Sequence, residues 1–317
     1  MTGVDRTAGA RTARASVRTG GAPTTPPIVD DGRGEVLVHA LGGGLGHLAR
    51  ACRVVRALGL EDRAVLLTAS RHAGDVRATG GLPVVAVDPA AAGDPAALLD
   101  LIAARAPARI VVDAFPLGVA GELEGLCSSG VAGGPRVDHV ARRLRWDVYR
   151  PRFGAGRVRF GTTLVLEPLE PAHEAFLRDH SDRMVPWSPP VERHAPRRAH
   201  PGPHWLVVHS GPDEETLELV AHAREHQAAE GTDLPIVVLS PTTPPGLPDD
   251  VLVRDELPAA PFLAAADRLV TAAGWNVLDE SRPFRGRHHV VPFERALDDQ
   301  PWRARHVRRE LGPDLAA

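Results

Sequence analysis

The sequence predicts an α/β protein made of two parallel-sheet domains facing a central cleft. Three observations carry that expectation. Short β-branched runs alternate with helical patterns along most of the chain; the alternation breaks once, where five prolines fall between Trp187 and Pro203; it then restarts. Residues 1–33 stand outside the pattern. They are rich in Thr, Ala, Gly, Arg and Pro, lack the continuous apolar stretch a secretory signal needs, and read as a disordered tail.

The first element is also the most informative. Residues Val36 to Ala51 read VLVHALGGGLGHLARA: a β-branched run, a turn at Gly42-Gly43-Gly44, and a helix-like resumption through Gly46, His47 and Arg50. Glycines let backbone approach a ligand closely, and a helix start offers unpaired N–H groups, so the place suits an anion. Further strands are expected at Ala64–Leu67, Val84–Val87, Arg109–Asp113, Val137–Val140 and Leu164–Glu167, with helices at His47–Ala57, Pro95–Arg105, Val119–Leu126 and Pro171–Asp179. Pro189-Pro190 and three further prolines break both helix and sheet, which makes 187–203 a linker between domains 34–186 and 204–300. Beyond it come strand Trp205–His209, helix Glu214–Ala229, strands Ile236–Leu239 and Val251–Val253, helix Pro261–Ala266, strand Arg268–Thr271, helix Asn276–Asp279 and strand His288–Val291. A helix from Trp302 to Glu310 opens the final segment, 301–317. Two Rossmann-like halves joined in this way enclose a ligand between them.

Composition narrows the function. The chain has 317 residues, 43% apolar and 24% charged, enough for two cores. A formal net charge of -3 gives no electrostatic case for nucleic acid or an anionic membrane. All 37 basic residues are arginine, which excludes a Schiff-base lysine and a Walker A loop. Cys52 and Cys127, without a CxxC, fit a reducing cytoplasmic compartment and argue against a structural zinc site. No apolar run reaches the roughly 18 residues of a membrane span, although peripheral membrane contact stays open.

A second stretch, Ala264 to Ala304, carries a family resemblance. A strand leads to a helix opened by Gly274, with Asn276 on its first turn and Glu280 six positions on; a further strand ends in Val291-Pro292-Phe293, followed by Asp299-Gln300. This segment resembles the donor-binding region of GT-B glycosyltransferases, most of all the N-acetylglucosaminyltransferase of peptidoglycan synthesis (family 28). The GGGLGH turn resembles the first loop of the same superfamily, and VVDAFPLGVAGEL and ARRLRWDVY resemble a branch of predicted glycosyltransferases. The resemblance spans about residues 34 to 310 and implies a GT-B fold, a nucleotide-diphosphate sugar as co-substrate and an acceptor small molecule or glycan as partner.

The residue types suit that chemistry. N–H groups around Gly274 and Asn276, with Gly44 and Gly46 in the first turn, can meet a diphosphate, an interaction that strengthens as the leaving group gains charge. The Glu280 carboxylate can accept both ribose hydroxyls, and the resemblance implies that Asp299 and Gln300 bond sugar hydroxyls. His47 is the candidate base, kept neutral by the helix N-terminus. Asp113 ends a strand at the cleft side. The plainer readings stay beside these. His47 caps its own loop; Glu280 faces solvent; Asp299-Gln300 is a helix N-cap before Pro301; Asp113 caps the next helix. Arg142, Arg143 and Arg145, interleaved with Trp146 and Tyr149, read better as a solvated helix face than as a phosphate surface.

The chain departs from the family at His209-Ser210-Gly211-Pro212, where a glycine-rich phosphate loop is expected and only Ser210 and Gly211 remain to serve it. Pro283 closely follows Glu280, and the expected glycine is displaced to Gly286. The resemblance implies that Asp255–Pro258 falls near the nucleotide base. No Asp-x-Asp occurs, and adjacent His288 and His289 point to opposite strand faces, so no metal is expected. The leading expectation is an inverting, metal-independent glycosyltransferase. Two alternatives are a nucleotide-sugar hydrolase of the pseudaminic-acid-pathway type, with Asp113 assisting His47, and a degenerate transferase that binds without catalysis.

Overall fold

The computed structural model describes residue 28 and residues 32–124, 134–154, 158–192 and 194–311. Most of the expected tail, the end of the helix expected over Val119–Leu126, Cys127, residues 128–133 and residues 312–317 lie outside them. Ile28, assigned from sequence to a disordered tail, is buried at 3% exposure among the first core's side chains.

Residues 36–186 form β1 (Val36–His39), α1 (Leu45–Leu58), β2 (Ala64–Thr68), α2 (Val76–Thr79), β3 (Val84–Ala86), α3 (Pro95–Arg105), β4 (Arg109–Asp113), β5 (Arg136–Ala141), α4 (Trp146–Tyr149), β6 (Phe160–Val165), α5 (Pro171–His180) and β7 (Ser181–Pro186). The strands make one parallel sheet in the order β3-β2-β1-β4-β5-β6-β7. Because both faces of such a sheet are covered, the middles of its central strands β1 and β4 are continuous apolar runs, Val36–Val38 and Ile110–Val112. Alternate residues serve two cores: Leu37, Leu67, Ile110 and Val112 on one face, Val36, Val38, Leu66 and Val111 on the other.

The second unit repeats the plan with β8 (Trp205–Val208), α6 (Asp213–Glu230), β9 (Ile236–Leu239), β10 (Leu252–Arg254), α7 (Ala260–Leu263), β11 (Arg268–Ala272), α8 (Trp275–Glu280) and β12 (His288–Val291). Its parallel sheet runs β10-β9-β8-β11-β12. No helix or strand forms among the described residues of 187–203. Arg53 of α1 holds this stretch by donating to the carbonyls of Pro189 at 2.7 Å and Pro190 at 3.2 Å.

A last helix, α9 (Gln300–Leu311), ties the units together. Its Ala304 and Val307 pack on Ala273, Leu278 and Val290 of the second unit. Just before it, Leu297 packs into the first unit's core, and Arg145 N–H donates to the Leu297 carbonyl at 3.0 Å. No helix among the described residues is long and apolar enough to cross a membrane.

Two expectations need correction. The strand expected over Leu164–Glu167 begins earlier, at Phe160, and β7 was not expected at all. The edge strand β7 follows α5 without a loop, and its exposed polar residues hide the strand pattern. Nor is the Arg142–Tyr149 stretch a solvated face. Arg142 is 6% exposed, Trp146 stacks on His173 at 4.3 Å, and the buried Tyr149 hydroxyl donates to the Gly118 carbonyl at 2.8 Å.

Candidate active site

The site follows from strand order. β1 and β4 are neighbours, with His39 opposite Val112, so the turn after β1 and the last residue of β4 emerge side by side at the carboxyl edge. The chain leaves β1 through Gly42-Gly43-Gly44 and enters α1, for which Gly44 is the N-cap without a side-chain cap bond. At Gly42 a Cβ would stand 1.9 to 2.4 Å from the His47 ring, so only glycine leaves that ring its place. Gly43 and Gly44 have open space beside them.

His47, on the first turn of α1, donates from Nδ1 to Asp113 Oδ2 at 2.8 Å. Arg50, one turn on, grips the same carboxylate with Nε and, at 2.8 Å, with an Nη. Burial alone would raise the Asp113 carboxyl, but Arg50 and His47 outweigh it and hold it far below the usual carboxylate range. For His47, burial is the largest influence and lowers its pKa; Asp113 opposes the shift, while the Arg50 and Arg142 charges add to it. The ring is therefore neutral at pH 7, as expected from the sequence, though burial rather than the helix terminus dominates. An anionic Asp113 fixes the proton on Nδ1, which leaves Nε2 as a lone pair with no hydrogen-bond partner among the described residues.

His47 lines a cavity of about 900 Å³ between the two units, and Gly44, Gly46, Ser210, Gly211, Gly274 and Glu280 line it too. Asn276 and Gln300 are also on its wall. Glu280 accepts no hydrogen bond among the described residues. Burial pushes its carboxyl up to about 7; Arg53 opposes this, and Asp279 and Glu192 reinforce it. Its neighbour Asp279 is the partner of Arg53, at 2.5 Å. Glu256, Leu257 and Pro258 lie on the wall, in the part expected near a nucleotide base.

Three placements differ from the sequence reading. Asn276 donates its side-chain N–H across the cleft to the Gly46 carbonyl at 2.7 Å, so its amide closes the two units rather than standing free. Asp299 does not line the cavity: it accepts from Arg143 at 2.7 Å and from Trp302 N–H at 3.1 Å, the capping role that was its plainer reading. The acidic residue that reaches the cavity is Asp298, bound by Arg142 and by Arg303 at 2.7 Å. Gln300, 5% exposed, accepts from Phe293 N–H at 3.0 Å and shapes the loop after β12.

Sequence reasoning also missed His209 and Arg295, both on the wall. Arg295 is bidentate to Glu215, with Nη2 to Oε2 at 2.5 Å, and Glu215 lies 3.1 Å from His209 Nε2. A Cβ on Gly211 would stand 2.6 Å from that same nitrogen. Glycine is what lets this loop fold over His209.

No protein-family model matches the chain, and no curated protein matches it by sequence. Solved structures do match in three dimensions. SsfS6, a glycosyltransferase of Streptomyces sp. SF2575, superposes with a TM-score of 0.54 at 14% identity over 90% of this chain and 89% of its own. The glycotransferase of kitacinnamycin gives 0.53 at 19% identity over 86% and 83%. The spinosyn forosaminyltransferase SpnP gives 0.51 at 12% over 87% and 83%.

The fold is GT-B.

Within the GT-B frame, the first unit supplies His47, backed by Asp113, and the second supplies Gly274 and Glu280 across the cavity. One cluster lies outside that frame. His222 and His226 of α6 and His289 of β12 come together away from the cleft, and none of the three lines the cavity. The four-residue spacing of the first two within an expected helix was the sequence signal. His288 points to the opposite face and bonds Thr271 Oγ1 at 2.8 Å and Ser281 Oγ at 3.0 Å, as strand alternation requires.

Proposed function

We propose that the protein is an inverting, metal-independent glycosyltransferase that moves a sugar from a nucleotide-diphosphate donor to an acceptor hydroxyl. The observation that carries this reading is the buried Asp113–His47 pair, whose Nε2 has no partner among the described residues and stands on the wall of an interdomain cavity. Nε2 takes the acceptor proton as the acceptor oxygen attacks the anomeric carbon. The sugar–phosphate bond breaks on the opposite side, and Asp113 stabilises the imidazolium that forms. Backbone N–H groups near Gly44, Ser210-Gly211 and Gly274 meet the diphosphate as its charge grows. Glu280 receives the ribose hydroxyls in a donor subsite like that of the peptidoglycan N-acetylglucosaminyltransferase group. The three compared structures bear transferase names, which supports sugar transfer as the reaction type.

Calorimetric titration with UDP, dTDP, GDP, ADP and CDP tests the donor half. One nucleotide should bind in the micromolar range and bind at least about tenfold more weakly to Glu280→Ala, a loss of about 1.4 kcal/mol. Binding by none of the five would overturn the proposal. The corresponding nucleotide sugar, incubated without acceptor, separates transfer from hydrolysis: rapid release of free sugar assigns the same His47–Asp113 pair to activating water.

A further inference from the structure

We propose a second site, on the outer side of the donor unit, in which His222, His226 and His289 bind one divalent transition-metal ion of the zinc class. His222 and His226 are four residues apart on α6 and so share one helix face. His289 meets them from β12, the edge strand of the second sheet. One ring nitrogen from each histidine lies within 4.8 Å of the other two. The ring centroids of His226 and His289 are 4.1 Å apart, and those of His222 and His226 are 4.5 Å apart.

Three imidazoles gathered in this way have little other business there. None of their six nitrogens takes part in a hydrogen bond among the described residues, whereas His288, next in sequence, uses both of its own. A lone histidine at a surface is ordinary; three that face one point with their lone pairs unused make a ligand set. Tetrahedral zinc, with Zn–N of about 2.0–2.1 Å, wants its nitrogens about 3.4 Å apart, so each half-buried ring need rotate only by about 1 Å. Three nitrogen ligands with no thiolate select zinc, copper or nickel over magnesium or calcium.

The surroundings fit an ion. Glu230 Oε1 lies 3.9 Å from His289 Nε2, and Arg268 holds that carboxylate at 2.9 Å. Glu230 can therefore orient the His289 ring from outside the ligand set. Trp205 stacks on His289 at 5.3 Å and supports it from below. Water completes the fourth position. The ion would join α6 to an edge strand about 60 residues away, so it would act mainly on the stability of the donor unit.

The test uses the full chain without a histidine tag, stripped with chelator and titrated with zinc chloride by calorimetry. One equivalent should bind; His222→Ala and His289→Ala should each weaken it by at least about 30-fold, and zinc should raise the Tm of the parent protein but not of either variant. Titration of the parent protein with cobalt(II) should give the visible absorption of a four-coordinate centre, a readout that needs no variant to fold. No stoichiometric binding, no such absorption, or unchanged affinity in the His222→Ala/His289→Ala double variant would each overturn the site.

Discussion

Nδ1 of His47 and Oδ2 of Asp113 stand 2.8 Å apart although 66 residues separate them. Strand order brings them together, and Arg50 keeps the carboxylate ionised, so one buried charge sets which nitrogen of His47 carries the proton.

If that pairing supports proton transfer, Asp113→Asn should lower kcat by about 10² to 10⁴-fold. Nucleotide affinity should stay within about threefold, because Asp113 does not line the cavity. The Asp113→Asn/His47→Ala double variant should be no worse than His47→Ala alone. Because the His47 pKa lies below its ordinary value, kcat/KM should stay flat from pH 8 down to about 6.5 and fall only below it. Steady-state kinetics across pH decide this, and near-normal turnover by Asp113→Asn would refute it.

Gly42→Ala probes the loop without touching a charge. Its new methyl would overlap the His47 ring, which has no free end to give way. Activity should drop by at least about tenfold while the melting curve shifts little, since the loop and not the core bears the strain. A fully active Gly42→Ala enzyme would mean that His47 works from another position.

Glu280 supplies a pH test. Its carboxyl, at about 7 when folded, sits above its ordinary value of 4.5, so the folded chain holds this proton more tightly than the unfolded one. The resulting stabilisation is complete below about pH 4.5 and is lost as pH rises through about 7. Glu280→Gln, which cannot ionise, should therefore raise Tm by about 3 °C or more at pH 8 and have much less effect at pH 5. Scanning calorimetry at the two pH values checks the sign; equal shifts at both would place the carboxyl's ionisation elsewhere.

Arg303 of α9, 3% exposed, is bound by Glu167 through Nε and an Nη at 2.8 to 3.0 Å. Glu167→Ala leaves that buried guanidinium with Asp298 and the Arg143 carbonyl alone. The expected loss is about 3 kcal/mol, read as a lower urea midpoint. A shift under about 0.5 kcal/mol would show that α9 is held by its apolar face instead.

Regular apolar runs made much of this fold readable from sequence. β4, β9, β12 and α3 have the expected bounds, because buried parallel strands and a capped helix start, Asp94 before Pro95, leave strong local signals. Gly274 and Glu280, singled out by the family resemblance, both line the cavity because one short helix carries them. What failed was non-local. Asp298 displaced Asp299 as the cavity residue because the partners that choose between them, Arg142, Arg143 and Arg303, come from elsewhere in the chain. In the same way the role of Asn276 depends on Gly46, 230 residues away. The His222–His226–His289 cluster needed the register of α6 against β12, which neither segment reveals alone.

The chain itself links the two units at two places, beside the Arg53–Asp279 and Asn276–Gly46 contacts between them. The chain passes between them at 187–203, and the segment around Leu297 and Arg303 fastens them again through Glu167 and the first unit's core. Two fixed points define a line. Opening for substrate entry should then be a rotation about that line, like a door on two hinges. The Asn276–Gly46 bond, lying across the cleft, is placed to act as its latch.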